Sequence, residues 1–202
     1  MINPKVMAGL GKALADFKPW QLTAFCTATA QRSLPNYALF SDVTEFGDTA
    51  ELTHTLNMLW DFIAGQQSAK NFERLLERLE EQTPDVQQFD MYGVYPALDA
   101  IVALTTAVHC AMEPSVDDAT CNAKLTLSTI GRFISQIEVP ELNGVELHQY
   151  IDEHPLMLQH LDFLDEAIRL LSTGKPNAEL KKALRTLAIN DGTSELGISL
   201  ES

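Results

Sequence analysis

The sequence predicts an all-α protein: one compact multi-helix bundle of eight or nine helices, with a buried central helix near residues 95–112. Three observations carry this. Apolar residues recur at helical spacing along most of the chain. No period-two run of β-branched residues bounded by turn residues marks a strand. Proline, glycine and short polar residues fall where helices should begin and end.

The elements follow in order. Pro4 and Pro19 suit first helical turns and open helices over 4–16 and 19–33. A short separate helix is expected over 36–45. Leu52, Leu56, Leu59 and Ile63 form the core stripe of a helix over 49–64, with Asp48 and Glu51 at capping-box spacing and Gly65 as its C-cap. Phe72, Leu75, Leu76 and Leu79 stripe a helix over 69–82. Its Lys70/Glu73, Arg74/Glu77 and Arg78/Glu81 pairs put the other face in water. The helix over 95–112 is apolar nearly all round, which places it at the centre, surrounded on every side.

Val116, Ala119, Ala123, Leu127, Ile130, Ile134 and Ile137 hold one stripe over 116–138, with Ser115 at its cap. Met157, Leu161, Leu164, Ile168 and Leu171 continue the pattern in 142–173, which Pro155 should break and Gly174 should end. A last helix is expected over 177–190. Residues 191–202 read as a tail, and the whole of 1–202 as a single helical domain, since no linker, repeat or low-complexity tract divides it.

Composition narrows the chemistry. With 46% hydrophobic and 21% charged residues the chain has the make-up of a globular domain. The 28 acidic against 14 basic residues give a formal charge of −14, the wrong sign for nucleic-acid phosphates or anionic membranes. No nucleic-acid or membrane partner is therefore expected. A protein partner or a homodimer stays open. Cys26, Cys110 and Cys121 are odd in number and scattered, so they read as reduced core or near-core thiols of a cytoplasmic protein. The first sixteen residues lack the apolar run of a signal peptide. Residues 91–112 carry one charge, Asp99, whose burial in a bilayer costs about 2.5–3.5 kcal/mol.

No motif assembles a catalytic centre. Gly9-Leu10-Gly11 lacks the third glycine of a dinucleotide loop. Glu51 and His54 have the spacing of carboxylate-bridged di-metal bundles, but no second such pair exists, so no metal or other cofactor is expected. His148, His154 and His160 lie six apart, a rotation of about 240° that makes them diverge. His109 reads as a hydrogen-bonded core histidine of the central helix, and adjacent Cys110 faces away from it.

The densest unusual segment is Phe89-Asp90-Met91-Tyr92-Gly93-Val94-Tyr95-Pro96-Ala97-Leu98-Asp99. Structurally it reads as an anchor, with Pro96 starting the central helix and Asp99 in its first turn. Functionally it reads as a pocket mouth near a helix N-terminus. Asp90, Tyr92, Tyr95, Asp99 and His109 are the candidate ligand or interaction residues.

The same segment, with Trp20-Gln21, Pro35-Asn36-Tyr37-Ala38-Leu39-Phe40, Phe46-Gly47-Asp48, Asn71-Phe72 and Gly197-Ile198-Ser199, resembles the YjaG-like family over nearly the whole chain. That is a bacterial, mostly proteobacterial family of unknown function. The resemblance implies a compact all-helical cytoplasmic protein, and supplies no activity, cofactor or catalytic residue. The expected role is that of a non-enzymatic interaction or regulatory protein. The alternative is a small-molecule-binding protein or enzyme with its pocket beside Tyr92, Tyr95 and His109.

Overall fold

The structure, a computed structural model, describes residues 3–199. Nine α-helices run through them: α1 (Pro4–Ala15), α2 (Pro19–Thr44), α3 (Thr49–Ile63), α4 (Phe72–Glu81), α5 (Val94–Met112), α6 (Val116–Phe133), α7 (Gly144–Glu153), α8 (Pro155–Thr173) and α9 (Ala178–Ile189). No strand is present among the described residues, only an isolated bridge between Thr193 and Ser199. The capping chemistry read from the sequence is in place. Asp48 accepts from the Ala50 amide at 2.8 Å and Ser115 from the Asp118 amide at 3.2 Å. Pro155 opens α8, with His154 Nδ1 accepting the Leu156 amide at its N-cap.

Four expectations differ. The first concerns the separate helices expected over 19–33 and 36–45, which are one: α2 runs for 26 residues, straight through Pro35. Interior proline costs about 3 kcal/mol, and here burial on all faces outweighs it. α2 packs against α3, α5, α6, α8 and α9, so it is the wrapped spine of the bundle. Its polarity hides this in the sequence. Thr27 and Thr29 donate to carbonyls of their own helix, Thr23 O and Cys26 O at 2.8 Å each, and so enter the core with their hydroxyls satisfied.

The second concerns α5, which lies along α2 but is not surrounded. About a third of it stays in water, including Tyr95, Val102, His109 and Met112. It is long and apolar enough to cross a membrane, yet 67% of it is buried inside the bundle. Asn122, on α6, fastens α5 to the spine: its Nδ2 donates to Ala103 O of α5 and to Thr29 Oγ1 and Cys26 O of α2.

The third concerns Gly174, which ends α8 without the left-handed backbone of a glycine cap; its φ is −82°. It is required for closeness instead. A Cβ there would lie 2.7 Å from Leu170 O and 2.8 Å from the Leu180 side chain.

The fourth concerns the expected tail. After α9, Asn190, Asp191 and Gly192 take left-handed backbone (φ 49°, 52° and 80°), which short polar residues and glycine tolerate. The turn sends residues 193–199 back onto the bundle, where Ser194, Glu195 and Leu196 are buried. The Ser194 amide closes this strap onto Ile198 O at 2.9 Å. The remaining positions of that expected tail, 200–202, lie outside the described residues.

Candidate functional site

The residues singled out from the sequence separate into two groups. At the N-terminal end of α5, Asp90 is exposed, Tyr92 is half-buried and Tyr95 is 40% exposed. Pro96 is the third residue of α5 rather than its first, so Asp99 sits beyond the first turn and caps nothing. Its buried carboxylate reaches α6 instead, where Oδ2 accepts from Thr129 Oγ1 at 2.7 Å and Arg132 Nη1 at 3.2 Å. Burial raises the Asp99 pKa, with Thr129 and Arg132 opposing the rise. The Arg132 guanidinium also lies over the Tyr95 ring, 5.7 Å from its centroid. The Tyr92 hydroxyl is enclosed without a partner, and burial pushes its pKa up to about 12. Leu98 is half-buried rather than a core residue.

His109 is not a core histidine. It is exposed, and lies 14 residues from Tyr95 on the same helix, about 21 Å along the axis. Within one copy of the chain, Tyr92 and Tyr95 cannot share a pocket with it. His109 borders two depressions. A groove of about 380 Å³ runs between α4 and α5, past Leu76, Glu80, Val102 and Thr105. A wider basin is lined by Glu113, Ser115 and Asp118.

What connects the groups is the outer face of α5. Tyr95, Leu98, Val102, Thr106, His109 and Met112 follow one another at steps of three or four, which puts them on one face of the helix. All six are exposed or half-buried.

A second site was missed from the sequence. Arg32 on α2, His160 on α8 and Glu195 on the strap line a cavity of about 40 Å³ and are all nearly buried. Glu195 Oε1 accepts from Ser33 Oγ at 3.0 Å and Asn36 Nδ2 at 2.8 Å, while Oε2 has no partner. Burial pushes this carboxyl up to about 7, against the pull of Ser33, Asn36 and Arg32. Arg32 stacks on Phe163 at 4.3 Å and donates through Nη2 to Leu187 O at 3.3 Å, leaving its Nε–H unpaired.

The histidine tautomer follows from the network. Thr126 gives its hydroxyl proton to Ala123 O, so its oxygen accepts from His160 Nε2–H at 2.8 Å, and Nδ1 is a bare lone pair. Complete burial, with Arg32 nearby, pushes His160 down to about 3 and holds it neutral. The sequence carried one signal for this site: His160 falls three residues after Met157 and four before Leu164, on the core stripe of α8.

Other candidates are structural. Glu51 pairs with Arg78 at 3.2 Å, and His154 with Glu138 at 2.8 Å. Among the described residues, no group of three or more histidine, cysteine or acidic side chains is arranged to hold a metal ion. Cys26 and Cys110 are buried and free, while Cys121 is free and exposed, away from the core.

The model of the family described as "Protein of unknown function (DUF416)" matches residues 9–199, which include both sites. The chain belongs to the DUF416 family. Its relatives include the Escherichia coli (strain K12) "Uncharacterized protein YjaG", 32% identical over 92% of this chain and 93% of that protein. A Haemophilus influenzae "Uncharacterized protein" is 30% identical over 93% and 95%. A crystal structure of a DUF416 family protein from Shewanella baltica OS155 superposes with a TM-score of 0.83 at 35% identity, covering 94% of this chain and 98% of that one. The YjaG-like resemblance read from the sequence is thus a membership, and the helical DUF416 fold extends to this chain.

Proposed function

We propose that this DUF416 protein is a non-catalytic interaction protein of the cytoplasm whose docking surface is the outer face of α5, framed by α4. One observation carries the reading: a stripe on one face of α5, led by Tyr95, Val102 and Met112, is exposed or half-buried on a helix whose other faces are core. Isolated exposed apolar residues need no explanation, but a contiguous stripe marks a contact surface. Tyr95 and Met112, at 40% and 39% exposure, are of types enriched at interface cores. Arg132, beside Tyr95, adds a planar donor with most of its five N–H groups free of Asp99. The charge of −14 favours a protein partner over a nucleic acid or an anionic membrane.

The test compares tagged wild type with Val102→Glu in native lysate, quantifying co-purified proteins. Val102 is 42% exposed, so the substitution leaves folding intact while placing a charge mid-stripe. The expected result is loss of a defined set of partners, self-association included. Identical recovery and identical oligomeric state in both samples refute the reading.

The orphaned atoms of Arg32, His160 and Glu195 favour a second reading, in which the chain binds a polar molecule of a few heavy atoms in the cavity of about 40 Å³ that they line. A thermal-shift screen tests it, since a ligand at 100 times its Kd adds about 2.7 kcal/mol. A hit that Glu195→Gln abolishes supports this reading.

A further inference from the structure

The α5 stripe has a symmetry that names its occupant. Counting outward from Val102, Leu98 and Thr106 lie four residues away on either side, and Tyr95 and His109 seven. A two-fold axis through Val102, perpendicular to α5, would set two copies of the helix antiparallel. Val102 then meets Val102, Leu98 meets Thr106, and Tyr95 meets His109. Such an isologous pairing needs a surface that complements itself on reversal, and this stripe does.

The neighbouring helix obeys the same axis. α6 runs antiparallel to α5: Asp99 bonds Thr129, and Asn122 bonds Ala103 O. Those contacts place Leu125 near the level of Val102. Arg132 and Asp118 each lie seven residues from Leu125, Arg132 at the Tyr95 end and Asp118 beside His109. Reversal therefore carries the guanidinium of one copy to the acidic end of the other, where Glu113 also stands. A parallel pairing would set acid against acid. Arg132 bonds Asp99 through a single nitrogen, and its side chain is a third exposed, so donors remain for a second carboxylate.

We infer that the protein is a homodimer in which α5 of each copy packs antiparallel on α5 of the other, with Arg132 of one facing Asp118 of the other. This rests on the reading of α5 as an interaction face and names the partner. It also assembles what one chain cannot: the Tyr95 phenol and the His109 imidazole, about 21 Å apart within a copy, come together across the axis, twice.

Cysteine cross-linking tests the register. Helix axes 8–10 Å apart with Cα atoms at a radius near 2.3 Å leave two facing Cα atoms about 3.4–5.4 Å apart, which overlaps the range a disulfide spans. Val102→Cys in a Cys121→Ser background, which removes the exposed native thiol, should become a covalent dimer on mild oxidation. Thr53→Cys in the same background, on the exposed face of α3, should not. Wild type should sediment at twice its 22.4 kDa chain mass. Asp118→Lys, which sets two cations together at each end, should raise the dimer Kd roughly tenfold or more.

A wild type that stays at the single-chain mass at 0.1 mM or so, the concentration range of weak dimers, with no Val102→Cys cross-link, overturns the homodimer. If Val102→Glu still loses other partners, the face stands with a different occupant. A wild-type dimer with no Val102→Cys cross-link overturns the antiparallel arrangement.

Discussion

Glu195 and His160 pull the pH dependence of stability in opposite directions, and their cancellation can be measured. Glu195 has its pKa raised from an ordinary 4.5 to about 7, so the folded state holds a proton that the unfolded chain has released. Its contribution is complete below pH 4.5 and lost as pH rises to about 7. His160 has its pKa lowered from 6.5 to about 3, so the unfolded chain holds the extra proton. Its contribution is complete above pH 6.5 and lost as pH falls to about 3. Between 4.5 and 6.5 the two slopes, each about 1.4 kcal/mol per pH unit, offset. Glu195→Gln should remove one of them. Relative to wild type, its urea-derived stability should rise with pH across this window. A flat difference curve would show that Glu195 is not protonated in the fold. None of this was legible from residue types: an acid seven positions before the last residue of the sequence reads as solvated, and only the turn at Asn190–Gly192 carries it inward.

At the scale of the helix, the caps at Asp48, Ser115 and Pro155 were legible because each acts within a few residues of itself. The continuity of α2 through Pro35 was not, because it depends on the five helices packed around α2 as a whole. α5 shows the limit of periodicity most clearly. Its pattern says that the helix is apolar on every side, and cannot say that one side lacks a neighbour. The segment before it is part anchor and part surface, which predicts a split response. Asp99→Ala breaks charge-assisted bonds to Thr129 and Arg132 that tie α5 to α6, and should cost about 1.5–3 kcal/mol. Tyr92→Phe removes an enclosed hydroxyl that has no partner, and should be neutral or stabilising by up to about 1 kcal/mol. Chemical denaturation of both variants checks this. Equal destabilisation by the two would mean that the Tyr92 hydroxyl has a partner holding the same junction.

Across the whole molecule one hydrophobic cluster is continuous from Leu10 and Leu14 of α1 through Trp60 and Leu104 to Leu196 of the strap. The polar ties cross it in the same sense: Gln21 on α2 donates to Leu171 O on α8, and Ser33 to Glu195 on the strap. With α2 in contact with α3, α5, α6, α8 and α9, none of those five can detach without exposing the spine, so unfolding should be a single cooperative event. The strap is the element that could fail first, since it is short and held by one buried carboxyl and Leu196. If it frays separately, Ser33 and Asn36 exchange their carboxyl acceptor for water and Leu196 loses its burial, and the loss of that apolar contact drives the strap back. Two probes distinguish the cases. Trp20→Phe leaves Trp60, fully buried beside Gln31 on α2, as the only tryptophan. Its fluorescence should lose intensity at the same urea concentration as the helical circular dichroism, with a heat-capacity change of about 2.4–3 kcal/mol/K by calorimetry. A Trp60 transition displaced from the helical one would mean that the bundle holds two folding units, and that α2 joins them rather than unites them.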